Sequence, residues 1–166
     1  MKITIEIAKR DKKWDLHKDL NKALMAKIVK NIMQRFPNFK LVKQFELSIL
    51  LTDDKQMQEL NSTFCQKEKT TNVLSFPDIE LKREELLEFK PNIDYMYLGD
   101  IAFGYQVIIL ESIERNVSFE NHFFHLFVHS ILHLIGFDHK DDAEAKYMEE
   151  MEVSILNDFA ISSPYN

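Results

Sequence analysis

Hydrophobic and polar positions follow two different periods along the chain, and each period predicts a different kind of element. Alternation with a period of two is typical of a strand that buries one face. Four short segments alternate in this way or are rich in residues that strands prefer: residues 2–8, 45–51, 72–77 and 97–103. Pro77 ends the third of these predicted strands, and Gly104 ends the fourth.

Five other segments repeat their apolar residues every three or four positions, as amphipathic helices do. They are residues 16–36, 53–64, 105–116, 118–135 and 141–158. In the first, leucine or isoleucine recurs at every fourth position from Leu16 to Ile32, and lysines occupy the outer side. Three of these helices have a suitable N-terminal cap, which is Asp53 or Asp54, Ser118, and Asp141 or Asp142.

The segment 118–135 is apolar nearly all round, which predicts a helix buried at the centre of the fold. Residues 79–94 are rich in charge and are expected to form a surface excursion. Four strands and five helices in this order predict an α+β fold with α/β layering, in which a small mixed sheet packs against the helices. We expect residues 1–166 to form a single domain, because the chain has no repeat, no linker and the length of one domain.

Composition narrows the class of protein. Hydrophobic residues make up 45% of the chain, with only three glycines and four prolines, which favours compact, regular structure. The single cysteine, Cys65, excludes an internal disulfide framework and fits a reducing compartment. No apolar stretch is long enough to span a bilayer, and the first residues alternate instead of forming the apolar run of a signal peptide. We therefore expect a cytoplasmic protein without a membrane partner.

Charge is distributed unevenly along the chain. The formal net charge of −6 argues by itself against nucleic acid as a partner. Residues 1–43, however, contain twelve Lys or Arg against four Asp or Glu, whereas the remainder is strongly acidic. Such a basic region can guide a polyanion into a cleft. Alternatively, its lysines are only the solvated face of an amphipathic helix.

The candidate chemistry lies in a cluster of histidines, since five of the six fall between residues 122 and 139. His129 and His133 are four apart and therefore project from the same side of a helix. Gly136 allows the chain to leave the helix, and His139 follows close enough to turn back toward the other two. Three converging imidazoles with a free fourth position are typical of a catalytic zinc site.

His122 and His125 lie on the same side of this helix, one to two turns nearer its N-terminus. They can line the approach to the metal or face solvent. We expect that neither of them is a metal ligand.

The spacing of the histidines matches the metzincin protease motif H-E-x-x-H-x-x-G-x-x-H except at the glutamate, which here is Ser130. In such proteases the glutamate takes a proton from zinc-bound water and passes it to the leaving amine. Serine cannot do this near neutral pH. Phosphodiester cleavage depends more on charge stabilisation and positioning, so the missing glutamate favours a substrate other than peptide.

Three blocks of the sequence resemble the signature of the bacterial YbeY endoribonucleases, which are rRNA maturation factors. Residues 129–139 resemble H-G-x-L-H-L-x-G-[YF]-D-H, residues 71–77 resemble T-N-V-L-S-F-P, and residues 98–101 resemble L-G-D-I. The blocks stand in the family's order, so the resemblance extends over nearly the whole chain.

This resemblance implies that His129, His133 and His139 hold one zinc ion per chain. It implies a zinc-dependent, single-strand-specific endoribonuclease that acts in 16S rRNA 3′-end maturation and ribosome quality control. The partners it implies are rRNA and the ribosome or small-subunit assembly proteins. We expect a monomer.

The chain departs from the family pattern at two positions. Ser130 stands where the family has glycine, which is a mild change. Cys65 stands where the family has an arginine that can grip phosphate. Lys67 or Lys69 can substitute in part, although the alternative that both belong only to a solvated loop is slightly favoured. Cys65 as a fourth zinc ligand, which would close the site, is a less favoured alternative.

Two further residues are candidates for the site. Asp138 adjoins a predicted ligand and is a candidate for orienting it, or serves only the local turn. Ser75, together with Lys67 and Lys69, is a candidate for substrate binding. No catalytic base can be assigned from the sequence. Besides the nuclease, two functions remain open: a zinc-containing ribosome-assembly protein with weak or no nuclease activity, and a metalloprotease.

Overall fold

The computed structural model describes residues 1–165, whose four strands form one mixed sheet. The strands are β1 (Lys2–Lys9), β2 (Gln44–Thr52), β3 (Val73–Pro77) and β4 (Met96–Gly104). Their order across the sheet is β1-β2-β4-β3, with β1, β2 and β4 parallel and β3 antiparallel to β4. The shortest strand, β3, therefore forms one edge of the sheet. Each strand lies within one residue of its predicted limits.

Five α-helices accompany the sheet within residues 1–165, as predicted. They are α1 (Lys22–Gln34), α2 (Asp54–Cys65), α3 (Tyr105–Glu114), α4 (Phe119–Leu134) and α5 (Asp142–Asp158). The predicted caps are confirmed, because the side chains of Asp53, Ser118 and Asp141 accept backbone N–H groups at the starts of α2, α4 and α5. The α+β fold with a mixed sheet is thus confirmed.

The first predicted helix, 16–36, is wrong in its N-terminal part. Residues Lys12–Leu16 form a short 3₁₀ helix, and α1 begins only after Asn21, whose side chain accepts the N–H of Leu24 at 2.7 Å. Leu16 is 74% exposed, so it does not belong to the apolar face of α1. The four-residue spacing of apolar residues continues on both sides of the helix boundary. The helix nevertheless begins after Asn21, because the side chain of Asn21 caps its first N–H groups.

The predicted surface excursion at 79–94 is attached to the core of the protein near its middle. It contains a single 3₁₀ turn at Arg83–Glu85, and the next residue, Leu86, is buried in the core. Asn38 donates hydrogen bonds to the carbonyls of Leu86 and Phe89 at 2.6 and 3.1 Å. The excursion therefore covers one end of the core instead of extending freely into solvent.

The helix α4 lies at the centre of the fold, as its apolar composition predicts. It packs against β3, α5 and α3, and most of its residues are buried. The alternate residues of β2 from Phe45 to Leu51 belong to the same hydrophobic core. Among residues 1–165, no helix has the length and apolarity needed to cross a membrane. This packing places the C-terminal end of α4 next to the edge strand β3.

Candidate metal centre

Three histidines converge at the C-terminal end of α4. His129 and His133 project from successive turns, and His139 approaches them from the loop that follows. One ring nitrogen from each lies within 4.8 Å of the others, and the Nε2 atoms of His129 and His133 are 2.9 Å apart. The structure thus brings together the three residues whose spacing predicts a metal site.

The loop that returns His139 to the helix depends on a glycine. Gly136 has φ of +105°, and a Cβ atom there would lie 2.8 Å from the carbonyl oxygen of Leu81. A residue with a side chain would therefore meet both backbone strain and a clash. Phe137 is buried and donates its N–H to the carbonyl of Leu132 at 3.0 Å, which holds the turn in place.

The Nδ1 atoms of His129 and His133 form hydrogen bonds with oxygen atoms. His133 donates from Nδ1 to the carbonyl of Phe137 at 2.8 Å, and His129 donates from Nδ1 to Glu152 Oε1 at 2.5 Å. In the neutral form that coordinates a metal, a ring whose Nδ1 donates in this way presents a bare lone pair at Nε2. Two bare lone pairs 2.9 Å apart repel each other unless a cation lies between them, so this donor set fits a bound metal ion.

Burial keeps the central ligand neutral. Desolvation, followed by the nearby His129, lowers the pKa of His133 to about 4. At neutral pH its ring is therefore uncharged, which is the form that coordinates a metal.

Glu152, a buried carboxylate that the sequence does not predict as part of the site, hydrogen-bonds to the Nδ1 atom of His129. Glu152 on α5 is 0% exposed. Burial alone would raise the pKa of its carboxyl group, but hydrogen bonds from His125 and His129 outweigh burial and lower the pKa to about 2. The sequence did contain a signal, because Glu152 lies at helical spacing between the apolar Met148 and Ile155.

The two inner histidines have a different environment. His122 is 3% exposed and contacts Glu111 Oε2 at 2.6 Å through Nε2. His125 is 7% exposed and contacts Glu152 Oε2 at 3.1 Å, also through Nε2. The alternative in which they face solvent is wrong. They line a separate cavity of about 350 Å³, together with Arg115 and the segment 162–164.

The three-histidine group opens into a cleft of about 660 Å³ between the edge strand and the end of α4. Among the residues that the sequence singles out, Cys65, Lys67, Ser75 and Asp138 line this cleft. Lys69 does not line it; its carbonyl accepts a hydrogen bond from the side chain of Asn61 at 2.8 Å. Within the described part of the chain, Lys67 is therefore the one lysine in the wall of the cleft.

Asp138 and Ser130 make contacts that bear on their predicted roles. Asp138 Oδ1 accepts the backbone N–H of His139 at 2.8 Å, and Lys140 lies 3.5 Å from the other oxygen. Its contacts are thus with the backbone of a ligand residue and with a lysine beside it. Ser130 is fully buried, and its hydroxyl has no hydrogen-bond partner among residues 1–165. The serine that stands in place of the protease glutamate therefore does not line the cleft.

The motif block at residues 71–77 forms the cleft wall. Asn72 accepts the N–H of Val73 at 2.7 Å and donates to Glu111 at 3.1 Å, which ties the start of β3 to α3. In the block at residues 98–101, Gly99 has φ of +134°, and a Cβ atom there would lie 2.2 Å from the carbonyl oxygen of Phe76. Both blocks therefore position the edge strand against the metal site.

Comparisons with known proteins agree with these motifs. A family model described as Endoribonuclease YbeY matches residues 6–160. The chain is 37% identical over 163 residues to the Endoribonuclease YbeY of Bartonella quintana (strain Toulouse), which covers 98% of this chain and 97% of that relative. A Thermotoga maritima protein whose structure was determined in solution is similar with a TM-score of 0.55 and 19% identity, over 98% of this chain and 96% of that one. This last likeness supports the fold alone.

Proposed function

This chain belongs to the YbeY endoribonuclease family, and we propose that it is a zinc-dependent endoribonuclease that cuts single-stranded RNA. The observation that carries the proposal is the group of three histidines at the end of α4, which opens into a cleft walled by an edge strand. An open site of this kind leaves a coordination position for water or for a phosphate oxygen.

In this mechanism His129, His133 and His139 hold one zinc ion. When bound, zinc supplies Lewis acidity toward a phosphate oxygen and lowers the pKa of water. The chain itself supplies the positive charge of Lys67 and the hydroxyl of Ser75 in the cleft wall, where they bind and orient the phosphate backbone. Lys69 acts only outside the cleft, as part of the loop.

The proposal assigns no protein residue as general base. Ser130 is buried and cannot serve, and Asp138 has its carboxylate directed to the backbone of His139 and to Lys140. Asp138 accordingly orders the loop that carries a ligand. A metalloprotease would need an acid at position 130, and this requirement disfavours peptide as the substrate.

In the cell, we propose that the protein acts as a monomer in the cytoplasm on the 3′ end of 16S rRNA and in ribosome quality control. Its partners are then rRNA and the ribosome or small-subunit assembly proteins. Support comes from family membership and from the basic composition of residues 1–43. Accumulation of unprocessed 16S rRNA in cells that lack the gene would test this role.

The decisive experiment measures zinc content and RNA cleavage together. Wild-type protein is expected to carry one equivalent of zinc and to cut a single-stranded RNA but not the matching duplex. His133→Ala should lose both the metal and the cleavage. His17→Gln is a matched control, because this histidine lies outside the cleft with its ring bonded to Glu120 and Tyr105. Full cleavage by metal-free His133→Ala would refute the proposal.

A second candidate is a ribosome-assembly protein that holds zinc but cleaves RNA weakly or not at all. Cys65 favours it, because the thiol lies in the cleft wall where the family pattern has arginine, and a thiol cannot bind phosphate in a bidentate manner. Cys65→Arg distinguishes the two functions. Activity that appears only in Cys65→Arg would support the binding protein, whereas a fully active wild type would exclude it.

A further inference from the structure

The C-terminal segment returns to the back of the metal centre after α5 ends. Ala160 adopts positive φ of 55°, and Ile161 donates its N–H to the carbonyl of Leu156 at 3.0 Å, which reverses the chain. Ile161 is buried and anchors the segment. The reversal carries the hydroxyl of Tyr165 to Glu152, to which it donates a hydrogen bond.

The two oxygens of Glu152 have separate partners. Oε1 accepts the hydrogen bond from His129 Nδ1 at 2.5 Å. Oε2 contacts Tyr165 and, at 3.1 Å, the Nε2 atom of His125. A carboxylate held at both oxygens cannot rotate about its terminal bond, so Oε1 stays in line with the imidazole ring of His129.

We propose that Tyr165 and Glu152 form a positioning pair that orients His129 for the metal, so that the C-terminal segment controls metal retention. The proposal rests on the metal site proposed above. Tyr165 acts through Glu152, and Glu152 acts through the ring of His129. His139, by contrast, is exposed and comes from the loop that follows α4.

The burial of the two residues determines what each variant can show. Tyr165 is 44% exposed, so removing its hydroxyl group leaves the core packing nearly unchanged. Glu152 is fully buried, and a change there can also affect folding. Tyr165→Phe is therefore the primary variant, and Glu152→Gln is the secondary one. Tyr95→Phe is a matched control, because Tyr95 is 43% exposed and its hydroxyl donates to Glu46 at 3.2 Å, away from the histidines.

The experiment measures zinc affinity by competition with a chelator, on full-length protein without RNA. Tyr165→Phe is expected to bind zinc about five-fold more weakly. This corresponds to the loss of one hydrogen bond of about 1 kcal/mol, since about 1.4 kcal/mol changes the dissociation constant tenfold. Glu152→Gln should bind zinc about 10- to 100-fold more weakly. Tyr95→Phe should remain within about two-fold of wild type. The visible absorption spectrum of the cobalt-substituted protein should shift in Tyr165→Phe and in Glu152→Gln only, because it reports ligand geometry.

Metal-free thermal unfolding separates positioning from folding. Because Glu152 keeps its contacts with His125 and His129, the metal-free Tm of Tyr165→Phe should fall only slightly, while the increase in Tm on adding zinc becomes smaller. Unchanged zinc affinity and cobalt spectrum in Tyr165→Phe would overturn the inference, and so would an equal loss in Tyr95→Phe. A wild type that binds zinc but does not cut RNA would refute the nuclease and leave this inference standing. A wild type that binds no zinc would refute both.

Discussion

The helix α4 presents two pairs of histidines on one side, and the two pairs differ in what meets their ring nitrogens. His129 and His133 direct Nε2 toward each other at the cleft. The Nε2 atoms of His122 and His125 contact the carboxylates of Glu111 and Glu152 instead. Histidines on one side of the same helix therefore become either candidate ligands or internal hydrogen-bond partners of carboxylates, depending on the neighbouring helices.

Glu152 connects the two pairs. It reaches His125 through one oxygen and His129 through the other, so it belongs to the inner pair and to the metal site at once. Glu111 has no such link to the cleft histidines; its contacts are with His122 and Asn72. We therefore expect substitutions of His129 or His133 to reduce metal binding. Substitutions of His122 or His125, the inner pair, should mainly reduce the stability of the fold.

The largest expected effect distinguishes ligands from internal partners. His129→Ala should weaken zinc binding roughly a thousand-fold, because one of three ligands is removed. His122→Ala should leave zinc affinity within a few-fold of wild type, since the ring of His122 contacts Glu111 away from the cleft. Chelator competition on the two variants measures this contrast. Equal losses in both would remove the distinction between the pairs.

The next effect concerns pH and the metal-free protein. The pKa of His133 is lowered to about 4 in the folded state, below its ordinary value of 6.5. The unfolded chain therefore takes up this proton first, and the folded state loses stability as the pH falls from about 6.5 to about 4. This loss amounts to at most about 3 kcal/mol. Urea unfolding at several pH values in this range measures the free energy of unfolding, which should decline less steeply with falling pH in His133→Asn than in wild type. Identical pH profiles of the two proteins would show that His133 does not cause the loss.

A smaller effect is expected for the inner pair. His122→Ala should lower the free energy of unfolding by about 1–2 kcal/mol, because Glu111 loses a charge-assisted partner while staying partly accessible to water. A double-mutant cycle with Glu111→Ala isolates the interaction from the change in packing. Additive effects in the cycle would show that the contact contributes nothing to stability.

The smallest effect tests the wall of the cleft. Lys67→Ala should weaken binding of a single-stranded RNA a few-fold. It should also reduce the slope of log affinity against log salt concentration by about one unit, because one phosphate contact is lost. Lys69→Ala is the matched control, because Lys69 does not line the cleft. Fluorescence anisotropy at several salt concentrations measures both variants. The same reduction in Lys69→Ala would show that the loop acts only through its overall charge.

Local patterns predicted most elements because local physics determines them. Alternation, strand-forming residues and the breaking residues Pro77 and Gly104 placed the four strands, and the side chains of Ser118 and Asp141 cap α4 and α5 as their positions predict. Periodicity failed at Leu16 and Leu20, where apolar spacing continues past the cap at Asn21. A hydrophobic period shows which residues can share a face, but it does not show where a helix begins.

The sequence by itself determined the mixed α+β fold, the family and the convergence of His129, His133 and His139. The convergence of the three histidines depends on residues near each other in the chain. His129 and His133 are one helical turn apart, and Gly136 adopts a positive φ that other residues rarely adopt. Tertiary structure alone decided which carboxylates His122 and His125 contact, and it placed Glu152 and Tyr165 next to the metal site. The physical reason is that a buried carboxylate must find its donors across helix contacts, and residues distant in sequence supply those donors only once the core has packed.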